Sequence, residues 1–185
     1  MKDYKSNELF QLSVQYVLDN EGGLTDDPDD PGGLTNYGIT MPVLLDYKGY
    51  PDSINVDYIR ELTVEEAKHI YYNLWWERYR YDRINRLAIV RKLLDFSVVM
   101  GPKQGHTIFQ RALNALGLEL PKLVEDGWIG EKTLAVYDEA TKAPAVLLSL
   151  RIAMNCEAAG VFRLIAQKKP KLRKFLQGWL ARAYR

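Results

Sequence analysis

The segment from Asn20 to Thr40 constrains this chain more than any other. Gly22, Gly23, Pro28, Pro31, Gly32, Gly33 and Gly38 crowd into it and break every hydrophobic period. A compact domain keeps so long an irregular connection when it serves as an active-site or binding loop, or when a short β excursion ties it down. Just before it, Phe10, Val14, Val17 and Leu18 recur at steps of four, three and one, which predicts a helix over 9–18 with one apolar face.

Downstream the pattern is helical. Thr40-Met41-Pro42 predicts an N-cap with proline in the first turn of a short helix to Tyr47. Thr63-Val64-Glu65-Glu66 is a capping box, opening a helix through Tyr71 to Trp76. The apolar run 87–100, the break at Gly101-Pro102 and the stripe Ile108, Phe109, Ala112, Leu113, Leu116 predict a helical hairpin. Asp126-Gly127 marks a turn before a short helix over 131–137, Pro144 starts a long helix to Gln167, and Leu172, Phe175, Leu176, Trp179 and Leu180 share one face of the last. With no long strand-period segment, repeat or linker, the expected class is mainly α, with a long Gly/Pro/Asp loop or small β-hairpin after the first helix. Residues 1–185 are expected to form a single compact unit, with parts 1–86 and 87–185.

Composition removes several functions. With 25 Lys and Arg against 24 Asp and Glu, the whole chain offers no electrostatic case for nucleic acid. One cysteine and two histidines make a structural metal improbable, and Asp26, Asp27, Asp29 and Asp30 miss the EF-hand spacing, so no metal and no cofactor are expected. Cys156, among apolar helix residues, is expected to be a buried thiol. No apolar h-region follows Met1, and no stretch approaches the roughly 18 apolar residues of a membrane span. Synthesis in the cytoplasm without a signal peptide, and no stable membrane insertion, are therefore expected.

Continuing the first helix at its own period from Phe10, Val14 and Val17 reaches Glu21, just where Gly22-Gly23 ends the helix. Desolvation, the negative end of the helix dipole and the neighbouring aspartates would all disfavour its ionised form, the condition a general acid requires. The alternative is an acid that frays into solvent beyond the helix end.

The wording around Glu21 decides between them. Glu21-Gly22-Gly23-Leu24, followed by Asp27-Pro28-Asp29-Asp30-Pro31-Gly32-Gly33-Leu34-Thr35-Asn36-Tyr37-Gly38-Ile39-Thr40, closely resembles the signature of glycoside hydrolase family 108, the phage-endolysin type of N-acetylmuramidase. The resemblance implies a lysozyme-like helical fold with Glu21 as catalytic acid. It further implies Asp30 as the carboxylate that stabilises oxocarbenium charge or orients water, and Thr35 as a holder of that water, with Asn36 or Tyr37 as alternatives at that place. The blocks Leu93-Leu94-Asp95-Phe96, Gly101-Pro102, Gln110-Arg111-Ala112-Leu113, Asp126 to Leu134 and Phe175 to Arg182 resemble the family's accompanying peptidoglycan-binding region.

Asn36, Tyr37, Trp75 and Trp128 are the candidate substrate contacts. Trp128 is either a buried ring beside a turn or a sugar-stacking platform, and at least one of Trp75 and Trp76 is expected in the core. The basic segment 163–185 reads as a solvated helix face or a contact for anionic wall polymers. The implied activity is cleavage of the β-1,4 bond between N-acetylmuramic acid and N-acetylglucosamine in peptidoglycan glycan strands, by a monomer acting in the periplasm or cell wall. Phage lysis with holin-dependent release and wall remodelling for protein secretion are both open. A lytic transglycosylase and a non-catalytic cell-wall-binding protein are the alternative functions.

Overall fold

The computed structural model describes residues 4–26, 33–49 and 54–185. Their contacts divide the chain into two compact units, Met1–Arg80 and Tyr81–Arg185.

In the first unit, α1 (Glu8–Glu21) starts where the Asn7 side chain accepts from the Phe10 N–H and ends where Gly22, at φ 72°, donates its N–H to the Leu18 carbonyl. Phe10, Val14, Val17 and Leu18 are all buried, as their spacing predicts. Phe10 meets the rings of Tyr72 and Trp76 edge-on, with centroids 5.0 and 5.3 Å away. The segment after α1 forms three short strands, one more than a hairpin. These are β1 (Thr25–Asp26), β2 (Leu34–Asn36) and β3 (Ile39–Thr40), antiparallel in that order. Tyr37 and Gly38 reverse the chain between β2 and β3 with φ of 53° and 74°, the two left-handed residues of a tight hairpin. Pairing sets Thr35 opposite Thr25 on one side and Thr40 on the other, so the three side chains share one face of the sheet.

Thr40 then caps α2 (Met41–Lys48) by accepting from the Val43 N–H. Asn55 caps α3 (Val56–Glu61), a six-residue helix the periodicity does not announce. Thr63 caps α4 (Val64–Tyr71) through the Glu66 N–H at 3.2 Å. Only half of the capping box is seen, because the Glu66 carboxylate meets Lys48 at 2.7 Å and accepts from the Tyr58 hydroxyl at 2.5 Å. That carboxylate ties α2, α3 and α4 together. The chain continues from α4 into a π-helical turn, Tyr72–Glu77, which carries Trp75 and Trp76.

In the second unit, α5 (Leu87–Met100) and α6 (Pro102–Ala115) form the expected hairpin. Its crossing is close enough to require glycine, since a Cβ at Gly105 would lie 2.7 Å from the Ser97 backbone nitrogen. There follow α7 (Glu131–Ala140), α8 (Pro144–Lys168), a 3-10 turn over Pro170–Phe175 and α9 (Leu176–Tyr184). Buried Lys92 donates to the carbonyls of Arg182 and Ala183 at 2.9 and 3.1 Å, closing the end of α9. Burial pulls its ammonium down to about 8, against the opposing pull of Asp95. Asp95, fully buried, accepts two hydrogen bonds from the Arg182 guanidinium at 3.0 and 2.7 Å.

Two expectations about α8 change. Cys156 is exposed, because Leu150, Met154, Ala158, Phe162 and Ala166 turn inward at four-residue steps and Cys156 sits two positions off that row, about 200° round the helix. By length and composition α8 also reaches the range of a membrane span, although its inward row packs within the unit.

Candidate active site

Glu21 is the last residue of α1, one turn beyond Val17 and Leu18, and it is half-buried. What shields it is the β2–β3 turn. A Cβ at Gly38 would fall 2.7 Å from Cγ and 2.8 Å from Cδ of Glu21, and 2.6 Å from the Tyr71 hydroxyl oxygen. The turn backbone, the carboxyl of Glu21 and the phenol of Tyr71 therefore converge on one point. Tyr71 is fully buried at the end of α4 and donates to the Tyr37 carbonyl at 2.8 Å, which fixes the turn from below. Trp75 braces Tyr71 in its place, with ring centroids 5.3 Å apart.

The predicted site residues fare differently. Glu21 and Tyr37 come together in this arrangement, Tyr37 through its backbone. Thr35 lies in the middle strand, half-buried, in the threonine row. Asn36 is 5% exposed, and its amide nitrogen donates to the carbonyls of Ile59, Arg60 and Leu62 at 3.0, 3.2 and 3.4 Å. The structure thus gives Asn36 the work of closing the end of α3 on β2. Trp75 and Trp76 are both buried. Asp30 falls outside the described residues. Sequence reasoning missed Tyr71 and the reason for Gly38. Tyr71 carries a signal only in retrospect, as the third buried residue on the Ala67 and Ile70 face of α4.

A half-buried carboxyl at the edge of a small sheet, backed by a phenol and a tight turn, can hold and deliver a proton to a ligand lying across the turn. Among the described residues no three His, Cys, Asp or Glu side chains gather as a metal site.

On the second unit, Trp128 is 72% exposed on a rigid turn. Gln110 is buried on α6. It accepts from the Gly127 N–H at 2.8 Å and donates to the Asp126 carboxylate and the Trp128 carbonyl at 2.9 and 3.0 Å. Asp126 also accepts from the Trp128 N–H at 2.8 Å. His106 donates from Nδ1 to the Gly127 carbonyl at 2.9 Å, which leaves Nε2 to accept from the Tyr81 hydroxyl at 2.6 Å. Burial keeps that imidazole neutral, lowering its pKa to about 4. Gly127, at φ 77°, has room for nothing larger, since its Cβ would fall 2.6 Å from the Lys103 carbonyl oxygen.

A mainly helical fold with a small antiparallel sheet beside a helix-terminal carboxyl belongs to the lysozyme-like class. Residues 14–101 match the family model described as glycosyl hydrolase 108, and residues 104–184 match the one described as a predicted peptidoglycan domain. A glycosyl hydrolase 108 domain followed by a peptidoglycan domain indicates a glycoside hydrolase acting on peptidoglycan. The two divisions differ in an instructive way, because α5 lies within the first family model yet pairs with α6 in the second packing unit. Among solved structures, SagA of Brucella abortus is similar, with a TM-score of 0.71, 26% identity, and coverage of 97% of this chain and 91% of that one. No curated protein matches the chain.

Proposed function

We propose that the chain is an N-acetylmuramidase in which Glu21 is the general acid. In this reading Glu21 protonates the glycosidic oxygen between N-acetylmuramic acid and N-acetylglucosamine as the bond breaks. Asp30 stabilises positive charge on the sugar or orients the attacking water, and Thr35 holds that water. Tyr71 and the Tyr37-Gly38 turn position the acid. The observation that carries the proposal is the convergence of Gly38 and Tyr71 on the Glu21 carboxyl, which fixes a half-buried acid at the end of α1.

The enzyme acts as a monomer on the wall, and it reaches the wall through holin-dependent release in phage lysis or as part of wall remodelling for protein secretion. Mass spectrometry of the fragments released from purified sacculi tests the chemistry. Products with reducing N-acetylmuramic acid ends are expected. Ends in 1,6-anhydromuramic acid would make it a lytic transglycosylase, and ends in N-acetylglucosamine would move the cleaved bond.

A further inference from the structure

A groove of about 820 Å³ runs along the second unit between the 120–128 segment and α7. Pro121 and Val124 line one wall, Val136 the other, and Trp128 stands on the rim. Val124 and Trp128 are 75% and 72% exposed. Such exposure would be unremarkable on a mobile tip, but the turn beneath Trp128 is clamped by Gln110, Asp126 and His106, so the indole is presented in a fixed place. A rigid, exposed indole beside an apolar trough suits the C–H face of a sugar ring.

Charge narrows the ligand further. Three acids at the groove have cationic partners, Glu125 with Arg111, Glu131 with Arg83 and Glu139 with Lys142, whereas Asp126 keeps its charge and is held by the Gln110 amide and the Trp128 N–H. Lys122 and Lys132 also line it, and among the described residues they make no ion pair. The first turn of α7 opens on the same groove, and its N-cap, Gly130, supplies no side-chain cap. Lys122 and Lys132 together outweigh the single carboxylate of Asp126, so the charge left over is positive and the ligand that complements the groove bears carboxylate as well as sugar.

We propose that this groove binds the peptide-bearing sugar unit of peptidoglycan, with the sugar stacked on Trp128 and a stem-peptide carboxylate held by Lys122 and Lys132. The groove thereby favours strands whose stem peptides keep free carboxylates over naked or amidated glycan. The proposal rests on peptidoglycan as the substrate and is independent of the chemistry assigned to Glu21.

Calorimetric titration of the full chain carrying Glu21→Gln tests it, with a disaccharide-peptide, the same compound with its carboxylates amidated, and a peptide-free N-acetylglucosamine tetramer as ligands. The free-acid disaccharide-peptide is expected to bind about tenfold more tightly than its amidated form, and Lys122→Gln with Lys132→Gln is expected to erase that preference. Adding Trp128→Ala is expected to weaken the disaccharide-peptide about tenfold while thermal unfolding stays unchanged, because the ring is mostly in solvent. No binding of the disaccharide-peptide, equal binding of free-acid and amidated forms, or a Trp128→Ala variant that binds like its parent would each overturn the proposal. Sacculus digestion by the chain with Glu21 intact separates the two readings. Binding without any cleavage defeats the muramidase reading and leaves the groove standing, whereas cleavage without this binding defeats the groove alone.

Discussion

A side chain at position 38 would put its first carbon 2.7 Å from Cγ of Glu21, so the presence of glycine there and the placement of the carboxyl are one structural fact. The left-handed backbone at Gly38, φ 74°, adds a second reason for glycine. Gly38→Ala is therefore expected to cost about 1 to 3 kcal/mol in urea unfolding through strain and overpacking. It should also lower glycan cleavage by at least roughly tenfold, because the carboxyl must move to make room. A variant as active as the parent would show that the turn does not set the position of Glu21.

Tyr71 offers a milder change at the same point. Tyr71→Phe removes the hydroxyl and its hydrogen bond to the Tyr37 carbonyl, and keeps the ring against Trp75. About 1 kcal/mol of stability should be lost. If Tyr71 positions the acid, the loss in kcat should exceed any rise in KM on a soluble glycan, and steady-state kinetics distinguishes this from general loosening, which would raise both.

Much of this architecture is legible in local sequence. The helix periods over 9–18, 87–100 and 144–167, and the caps at Thr40 and Thr63, correspond to α1, α5, α8, α2 and α4 because each depends on residues three or four apart. The missed features depend on distant partners. Glu66 leaves its capping box because Lys48 and Tyr58 outcompete the local N–H, and Asn36 is drawn to the end of α3, more than twenty residues away. Cys156 shows a third kind of miss, since an apolar neighbourhood in sequence does not say which way a residue faces on a helix. For the site, the motif singles out Glu21, but only the fold brings Tyr71 and the turn to it.

The buried pair in the second unit predicts an asymmetric response. Asp95 is fully buried and Arg182 supplies two hydrogen bonds to it. Arg182→Met would remove both of these hydrogen bonds from a buried carboxylate and should cost about 3 to 5 kcal/mol. Replacing both residues together, Asp95→Leu with Arg182→Met, should recover much of that loss, and chemical denaturation of the three proteins measures it.

His106 gives the second unit a defined sensitivity to acid. Its folded pKa of about 4 lies below the ordinary 6.5, so the unfolded chain binds the extra proton first. The stability contributed by keeping it neutral is complete above pH 6.5 and is lost as pH falls from there toward 4, on the order of 3 kcal/mol in all. The difference in unfolding free energy between the parent and His106→Gln should shrink across that window. A difference that stays constant from pH 7 to 4.5 would refute the assignment.

The most direct test of the central claim is the rate at which Glu21→Gln releases soluble fragments from purified sacculi, measured alongside sacculus binding. Glutamine preserves the size and the contacts with Gly38 but cannot deliver a proton, so release should fall by at least about a hundredfold while binding persists. Fragment release at the parent's rate would contradict the account.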